Sequence, residues 1–236
     1  MSLLYFRDRE NVDLENVFFE HSVSEQIQQF LNEHQFADIL QQYELPVANK
    51  ILLYGKTGCG KTMTAKAIAK KLNKNIFIVN LASVVSSKLG ETAKNVQSIF
   101  KESNYENSVL FFDEFDSLGQ IRDYDNKDSS EMKRVVNAIL QLIDYFPKNS
   151  ILIAATNQIQ MIDEALIRRF EIRLEFASPS KELLEAYYQK LLSKFPTEYQ
   201  SVEKKYGISF SEAKDLIFSQ VKNNIISDEM NKLNNK

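Results

Sequence analysis

The sequence predicts an α/β fold: a parallel five-stranded sheet flanked by helices, followed by a small C-terminal helical lid. Three observations predict it. Five short apolar runs, Ile51–Tyr54, Ile76–Asn80, Val109–Phe112, Ile151–Ala155 and Ile172–Phe176, punctuate the middle of the chain. Between the third and fourth, Met132, Val135, Val136, Ile139, Leu140 and Ile143 recur at helical spacing, and strands alternating with helices need crossover connections and parallel pairing. After Pro179 only helical periodicity remains.

Each segment can be justified in turn. Residues 1–45 read as an N-terminal linker and one amphipathic helix from Ser24 to Gln42, with Ile27, Phe30, Leu31, Ile39 and Leu40 on its apolar side. This stretch is too short to bury its own core, so it is expected to pack on the α/β body. Residues 46–178 hold the strands. Four of the runs are almost continuously apolar, as strands covered on both faces must be. The fifth alternates Ile172, Leu174 and Phe176 with Arg173 and Glu175, the pattern of an edge strand. Residues 179–236 form the helical lid: Lys181–Lys194 is helical by period, Pro196 ends it, and Ser209 with Glu212 makes a capping box that opens a last helix. Asp228–Lys236 is polar and expected to fray. Tyr187 and Tyr188 are expected to pack within the lid.

Composition bounds the function. The chain has 236 residues, 44% hydrophobic and 26% charged, which is ordinary globular usage and excludes wholesale disorder. Twenty-nine basic against thirty-two acidic residues leave a net charge of −3, which argues against nucleic-acid binding driven by bulk positive charge. No apolar stretch approaches the roughly 18 residues needed to span a membrane, and the N-terminus is charged where a signal peptide is apolar. A single cysteine excludes an intrachain disulfide and fits a reducing compartment, so a cytoplasmic location is expected. His21 and His34 lack the Cys or Asp spacing of a transition-metal site and read as surface or packing residues. Lys66, Lys70, Lys71 and Lys74 make a basic helical face, read as solvated rather than as a nucleic-acid contact.

The chemistry begins at Gly55-Lys56-Thr57-Gly58-Cys59-Gly60-Lys61-Thr62, which matches the phosphate-loop pattern G-x-x-x-x-G-K-[ST]. It comes directly after the strand Ile51–Tyr54 and opens a helix at Met63, the arrangement that turns backbone N–H groups into an anion nest at a helix N-terminus. This predicts a P-loop nucleoside triphosphatase fold. Lys61 is expected to meet the β- and γ-phosphates, and Thr62 to offer its hydroxyl to Mg²⁺. Cys59 reads as a small residue in the loop, not a nucleophile. Val109–Phe112 then runs into Asp113 and Glu114, two carboxylates at the C-terminal end of a buried strand, where open α/β sheets bind ligands. Asp113 is the candidate metal carboxylate and Glu114 the candidate general base for an attacking water. Asp116 is read as structural.

With these motifs the chain resembles an AAA+ ATPase, a single module of the protein-remodelling branch, over about Leu45 to Leu216. Ala154-Ala155-Thr156-Asn157 resembles the family's sensor strand, which implies that Asn157 contacts the γ-phosphate or the attacking water. Asp163-Glu164-Ala165-Leu166-Ile167-Arg168-Arg169-Phe170 resembles the arginine-finger segment, and Ser87-Lys88-Leu89-Gly90-Glu91-Thr92 occupies the place of the first pore loop. The resemblance implies ATP and Mg²⁺ as ligands, Arg168 or Arg169 acting on the neighbouring subunit's site, and self-association into a ring, usually a hexamer. Two departures stand out. Lys88 lies where many ring unfoldases carry an aromatic residue, and around Gly207–Leu216 no arginine marks a second sensor; Glu212, Ala213 and Lys214 occupy that region. The leading expectation is an ATP-hydrolysing ring that remodels, unfolds or disassembles a protein partner. The alternative is a nucleotide-gated scaffold that assembles with an effector such as a protease or nuclease. A small-molecule kinase fits poorly, for want of an acceptor pocket.

Overall fold

The computed structural model describes residues 6–8, 10, 12–81, 95–101, 107–120 and 129–234. The expected pore-loop segment Ser87–Thr92 lies outside them. The strands are β1 (Phe6–Asp8), β2 (Lys50–Gly55), β3 (Ile76–Asn80), β4 (Val109–Asp113), β5 (Ile151–Thr156) and β6 (Ile172–Phe176). They form one sheet in the order β1-β3-β4-β5-β2-β6, parallel throughout except for β1. Five of these are the apolar runs anticipated from the sequence. The sixth, β1, was not: it is three residues long and mostly exposed, too short for any period to register. It pairs antiparallel with the free side of β3.

Successive residues on a strand point to opposite faces, so the doubly buried runs supply two cores. Leu52, Val79, Leu110, Phe112, Leu152 and Ala154 face the helices at 95–101 and Ser129–Asp144. Ile51, Leu53, Ile78, Phe111, Ile153 and Ala155 face the helices His21–Gln35 and Lys61–Lys71. β6 lies at the sheet edge and shows the alternation expected there, with Arg173 and Glu175 exposed and Leu174 and Phe176 buried.

The N-terminal helix departs from expectation by breaking in two. His21–Gln35 buries Val23, Ile27, Phe30 and Leu31 against the sheet, whereas Ala37–Gln42 buries nothing, because Phe36 leaves helical geometry at φ −107°, ψ 20°. Burying a phenylalanine such as Phe30 stabilises by about 2–3 kcal/mol, so the first segment is anchored and the second is not. The basic face of Lys61–Lys71 is also not simply solvated. Lys66 contacts both Asp8 and Glu10 at 2.6 Å, and Lys70 contacts Asp13 at 2.8 Å, so acids of the N-terminal segment pair with these two lysines of the face.

The lid packs Leu184, Tyr188 and Leu192 of Lys181–Leu192 against Ala213, Ile217 and Val221 of Phe210–Asn234. Tyr188 is fully buried and donates its hydroxyl to the Lys205 carbonyl; Tyr187 is partly buried and meets Phe18 and Phe210 edge-on. The capping box forms as read: Glu212 Oε2 accepts from the Ser209 backbone at 2.7 Å, and Ser209 Oγ accepts from the Glu212 backbone at 3.3 Å. The polar tail differs from expectation and stays helical to Asn234. Lys232 pairs there with Asp228 at i−4 and Glu229 at i−3, the spacing that supports an exposed helix. No helix among the described residues is long and apolar enough to cross a membrane.

Candidate functional site

β5 lies between β4 and β2, so the sheet order alone brings three strand ends side by side. The loop after β2 carries residues 55–60, β4 ends in Asp113 and Glu114, and β5 ends in Thr156 and Asn157. The candidates Gly55, Lys56, Thr57, Gly58, Cys59, Gly60, Lys61, Thr62 and Met63 therefore share one edge of the sheet with Asp113, Glu114 and Asn157.

The loop's shape rests on its glycines. At Gly55 (φ +128°) a Cβ would land on the Phe176 carbonyl of β6, and at Gly58 (φ +75°) it would come within 2.8 Å of Ser209 Oγ and 2.9 Å of Ser211 Cβ. Gly58 is thus pressed against the lid, and the Ser211 N–H donates to its carbonyl at 3.2 Å. A side chain there is sterically opposed and forced into left-handed backbone geometry, which costs about 1–2 kcal/mol. Gly58→Ala is expected to lower Tm by about 2–8 °C, measured by calorimetry. An unchanged Tm would show that the lid does not rest on the loop.

Lys61 is buried and donates three hydrogen bonds of 2.8 Å, to the Gly55 and Lys56 carbonyls and to Asn157 Oδ1. Burial lowers its pKa from the ordinary lysine value, against the opposing pull of Cys59, Asp113 and Asp116. The ammonium is held over the loop, and the side chain of Asn157 is fixed by it. Across the site the Thr62 hydroxyl donates to Asp113 Oδ2 at 3.3 Å. A hydroxyl and a carboxylate converging in this way are hard oxygen donors, the kind Mg²⁺ takes.

Glu114 is exposed and sits at φ +55°, a left-handed geometry unusual for a residue with a side chain. Its N–H donates to Asp113 Oδ1 at 3.0 Å, and the next N–H, of Phe115, returns to the Ala155 carbonyl at 2.9 Å. The chain therefore kinks outward at Glu114 alone, presenting that carboxylate to solvent beside the loop.

Other candidates stand apart. Cys59 is 2% exposed, and burial pushes its thiol pKa up, which suits a packing role. Met63 is exposed on the first turn of its helix, and Lys56 donates to Ser178 Oγ at 2.8 Å. Arg168 and Arg169 come directly after the short helix Glu164–Ile167 and contact none of the loop residues. Arg168 pairs with Glu164 at 2.5 Å and is largely exposed; Arg169 makes bonds of 3.1 and 3.4 Å to Asp144 and one of 3.1 Å to the Ala165 carbonyl. Lys214 lies over the Phe218 ring, 5.5 Å from its centroid, turned along its own helix. His34 packs at a tilt against the Phe30 ring and contacts the Ala48 carbonyl at 2.9 Å, with its pKa lowered chiefly by burial. No cluster of metal-binding side chains involving three or more His, Cys, Asp or Glu occurs among the described residues.

Two contributors were not assigned to the site by the sequence reading, which took Asp116 as structural and gave Thr156 only as part of the sensor-like strand. Asp116 and Thr156, both buried, are joined by a 2.7 Å hydrogen bond beneath Asn157. The N-terminal arm also reaches the site, with Val17 4.0 Å from a Cβ placed on Gly60 and Phe18 against Tyr187 and Phe210 of the lid. Neither contact has a local signature, since each joins segments far apart in the chain.

Comparison with known proteins agrees with this geometry. Residues 51–178 match the family model described as ATPase family associated with various cellular activities. An uncharacterised AAA family ATPase of Sinorhizobium fredii is 36% identical over 199 residues, 83% of this chain and 60% of that protein. The ATPase family gene 2 protein of Schizosaccharomyces pombe is 34% identical over 72% of this chain and 23% of its own length. A putative 26S proteasome regulatory subunit homolog of Methanocaldococcus jannaschii is 31% identical, covering 70% and 46%. The chain thus spans 60% or less of these relatives. The FIGL-1 AAA domain superposes with a TM-score of 0.71 at 23% identity, covering 92% of this chain and 74% of that one, and shares the fold. A glycine loop nested at a helix start, paired carboxylates on the next strand but one and a family match over more than half the sequence lead to one conclusion: the chain belongs to the AAA ATPase family.

Proposed function

We propose that this chain is a Mg²⁺-dependent ATPase module that hydrolyses ATP to ADP and phosphate, assembles into a ring and remodels a protein partner. In this reading residues 46–178 bind nucleotide, 179–236 form the lid and 1–45 the arm. The observation that carries it is the convergence of Lys61 and Asn157 with the facing Thr62–Asp113 pair. The N–H groups of residues 58–62 and the Lys61 ammonium would bind the β- and γ-phosphates in place of the carbonyl and amide oxygens that Lys61 now holds. Thr62 and Asp113 would hold Mg²⁺, whose charge when bound neutralises the phosphate oxygens. Glu114 would accept the proton of a water whose oxygen attacks the γ-phosphorus, while the bond to the β–γ bridging oxygen breaks. Asn157 would orient that water. A narrow slot lined by Phe18, Cys59, Phe176, Pro179, Leu183 and Phe210 lies where arm, body and lid meet beside the loop.

Assembly is inferred from the arginines. Since neither Arg168 nor Arg169 touches the chain's own loop, completion of the charge around the transferring phosphoryl group would come from a neighbour. The relative named as a putative 26S proteasome regulatory subunit homolog supports a protein as the partner. The test is ATP hydrolysis per subunit as protein concentration rises, with sedimentation in parallel. The expected result is a steep rise that coincides with assembly. A flat, nonzero rate from monomers would overturn the trans arrangement, and no hydrolysis at any concentration would favour the nucleotide-gated scaffold.

A further inference from the structure

We infer that Asp116 is a positioning residue for hydrolysis, acting through Asn157; the inference rests on the ATPase reading above. After the kink at Glu114, the Phe115 N–H bonds the Ala155 carbonyl at 2.9 Å and delivers Asp116, 6% exposed, beneath the end of β5. One oxygen, Asp116 Oδ1, accepts from the Thr156 hydroxyl at 2.7 Å and from the Asn157 N–H at 3.4 Å. Thr156 is 1% exposed, and its Oγ1 accepts in turn from the Gln158 N–H at 3.0 Å. The backbone on both sides of Asn157 is thereby tied to one carboxylate. Beyond it, Asn157 Oδ1 meets Lys61 Nζ at 2.8 Å. The orientation of the turn that leaves β5 is set by Asp116, and the asparagine amide inherits that orientation.

A buried carboxylate is expensive to keep unless something uses its charge or its acceptor strength. Here both bonds go to the residue pair that carries Asn157, and the same segment carries Asp113 and Glu114. A shift at Asp116 would move the water-orienting amide relative to the general base. Binding of the nucleotide, which depends on the loop after β2, would be left alone.

The test uses the full chain in four forms: Asp116→Ala, Asp116→Asn, Asn157→Ala and the double Asp116→Ala/Asn157→Ala. Asp116→Ala is expected to lower kcat by about 10- to 100-fold, the usual range for an outer partner that orients a reactive group. Affinity for a fluorescent ATP analogue should stay within about threefold. Asp116→Asn, whose amide oxygen can still accept from Thr156, is expected to restore most of the rate. The double variant should be no slower than Asn157→Ala alone, because residues acting as one unit are non-additive. Multiplying losses in the double variant, or a fall in affinity that matches the fall in kcat, would overturn the inference. Full activity of Asp116→Ala beside an impaired Asn157→Ala would overturn it while leaving the ATPase reading intact; full activity of Asn157→Ala would overturn it together with the water-orienting role of Asn157; no hydrolysis by the unsubstituted chain would overturn the ATPase reading itself. Should Asp116→Ala fail to fold, Thr156→Val removes the same hydroxyl link at constant shape and must lower kcat without weakening nucleotide binding.

Discussion

Glu114→Gln is expected to lower ATP turnover by about 10²- to 10⁴-fold and to leave ATP affinity near its wild-type value, the loss typical of removing a general base. The substitution is nearly isosteric. Glutamine keeps the length of the side chain and its place at the +55° kink, and it leaves the hydrogen bond from the residue's own N–H to Asp113 untouched. What it removes is the ability to accept a proton from water. Nothing in the loop or in the Lys61 contacts depends on the Glu114 carboxylate, so nucleotide binding has no reason to change. The measurement pairs steady-state phosphate release with equilibrium binding of ATP. A variant that hydrolyses at the wild-type rate would remove Glu114 from the mechanism; one that fails to bind would show that the carboxylate shapes the loop. The residual state, loaded with ATP and unable to turn over, is also the form in which a remodelling ATPase would retain its protein partner.

The legible part of this molecule is the part written in local patterns. The strands covered on both faces announce themselves because both of their side-chain rows must be apolar, and β6 announces its edge position through Arg173 and Glu175. Gly55, Gly58, Lys61 and Thr62 were legible because anion binding by backbone needs glycines at fixed offsets before a helix. The lid's capping box was legible for the same reason, a three-residue spacing between Ser209 and Glu212. What stayed hidden depends on segments remote in sequence. Three residues of β1 gain strand geometry only because β3 offers them an unpaired edge. Lys66 looks like a solvated cation until Asp8 and Glu10 arrive from the far N-terminal segment. Asp116 reads as one more acid after a strand, and its purpose is visible only when β5 places Thr156 above it. The break at Phe36 was hidden for the opposite reason: a continuous amphipathic pattern spans it, and the pattern does not say that the second half finds no surface to cover.

Arg168→Ala is expected to lower hydrolysis by the assembled protein by about 10³-fold or more, the scale on which an arginine supplied from outside stabilises the phosphoryl-transfer transition state. Arg169→Ala should act differently. Its guanidinium is already committed to Asp144 and to the Ala165 carbonyl, which fixes the turn that presents Arg168. An exposed pair of this kind contributes about 0–1 kcal/mol to stability, so a lowered Tm and a smaller loss of rate are expected from Arg169→Ala. Arg168 by contrast is held, among the described residues, by Glu164, one helical turn away and itself largely exposed, a partner that is cheap to leave when a triphosphate is offered. The decisive measurement mixes two inactive proteins. A chain with Glu114→Gln keeps Arg168, and a chain with Arg168→Ala keeps Glu114. If the arginine serves a neighbour's site, co-assembly places an intact Arg168 beside an intact Glu114 at some interfaces, and hydrolysis returns on mixing. If it served its own site, every site in the mixture would lack one group or the other, and the mixture would stay as inactive as its components.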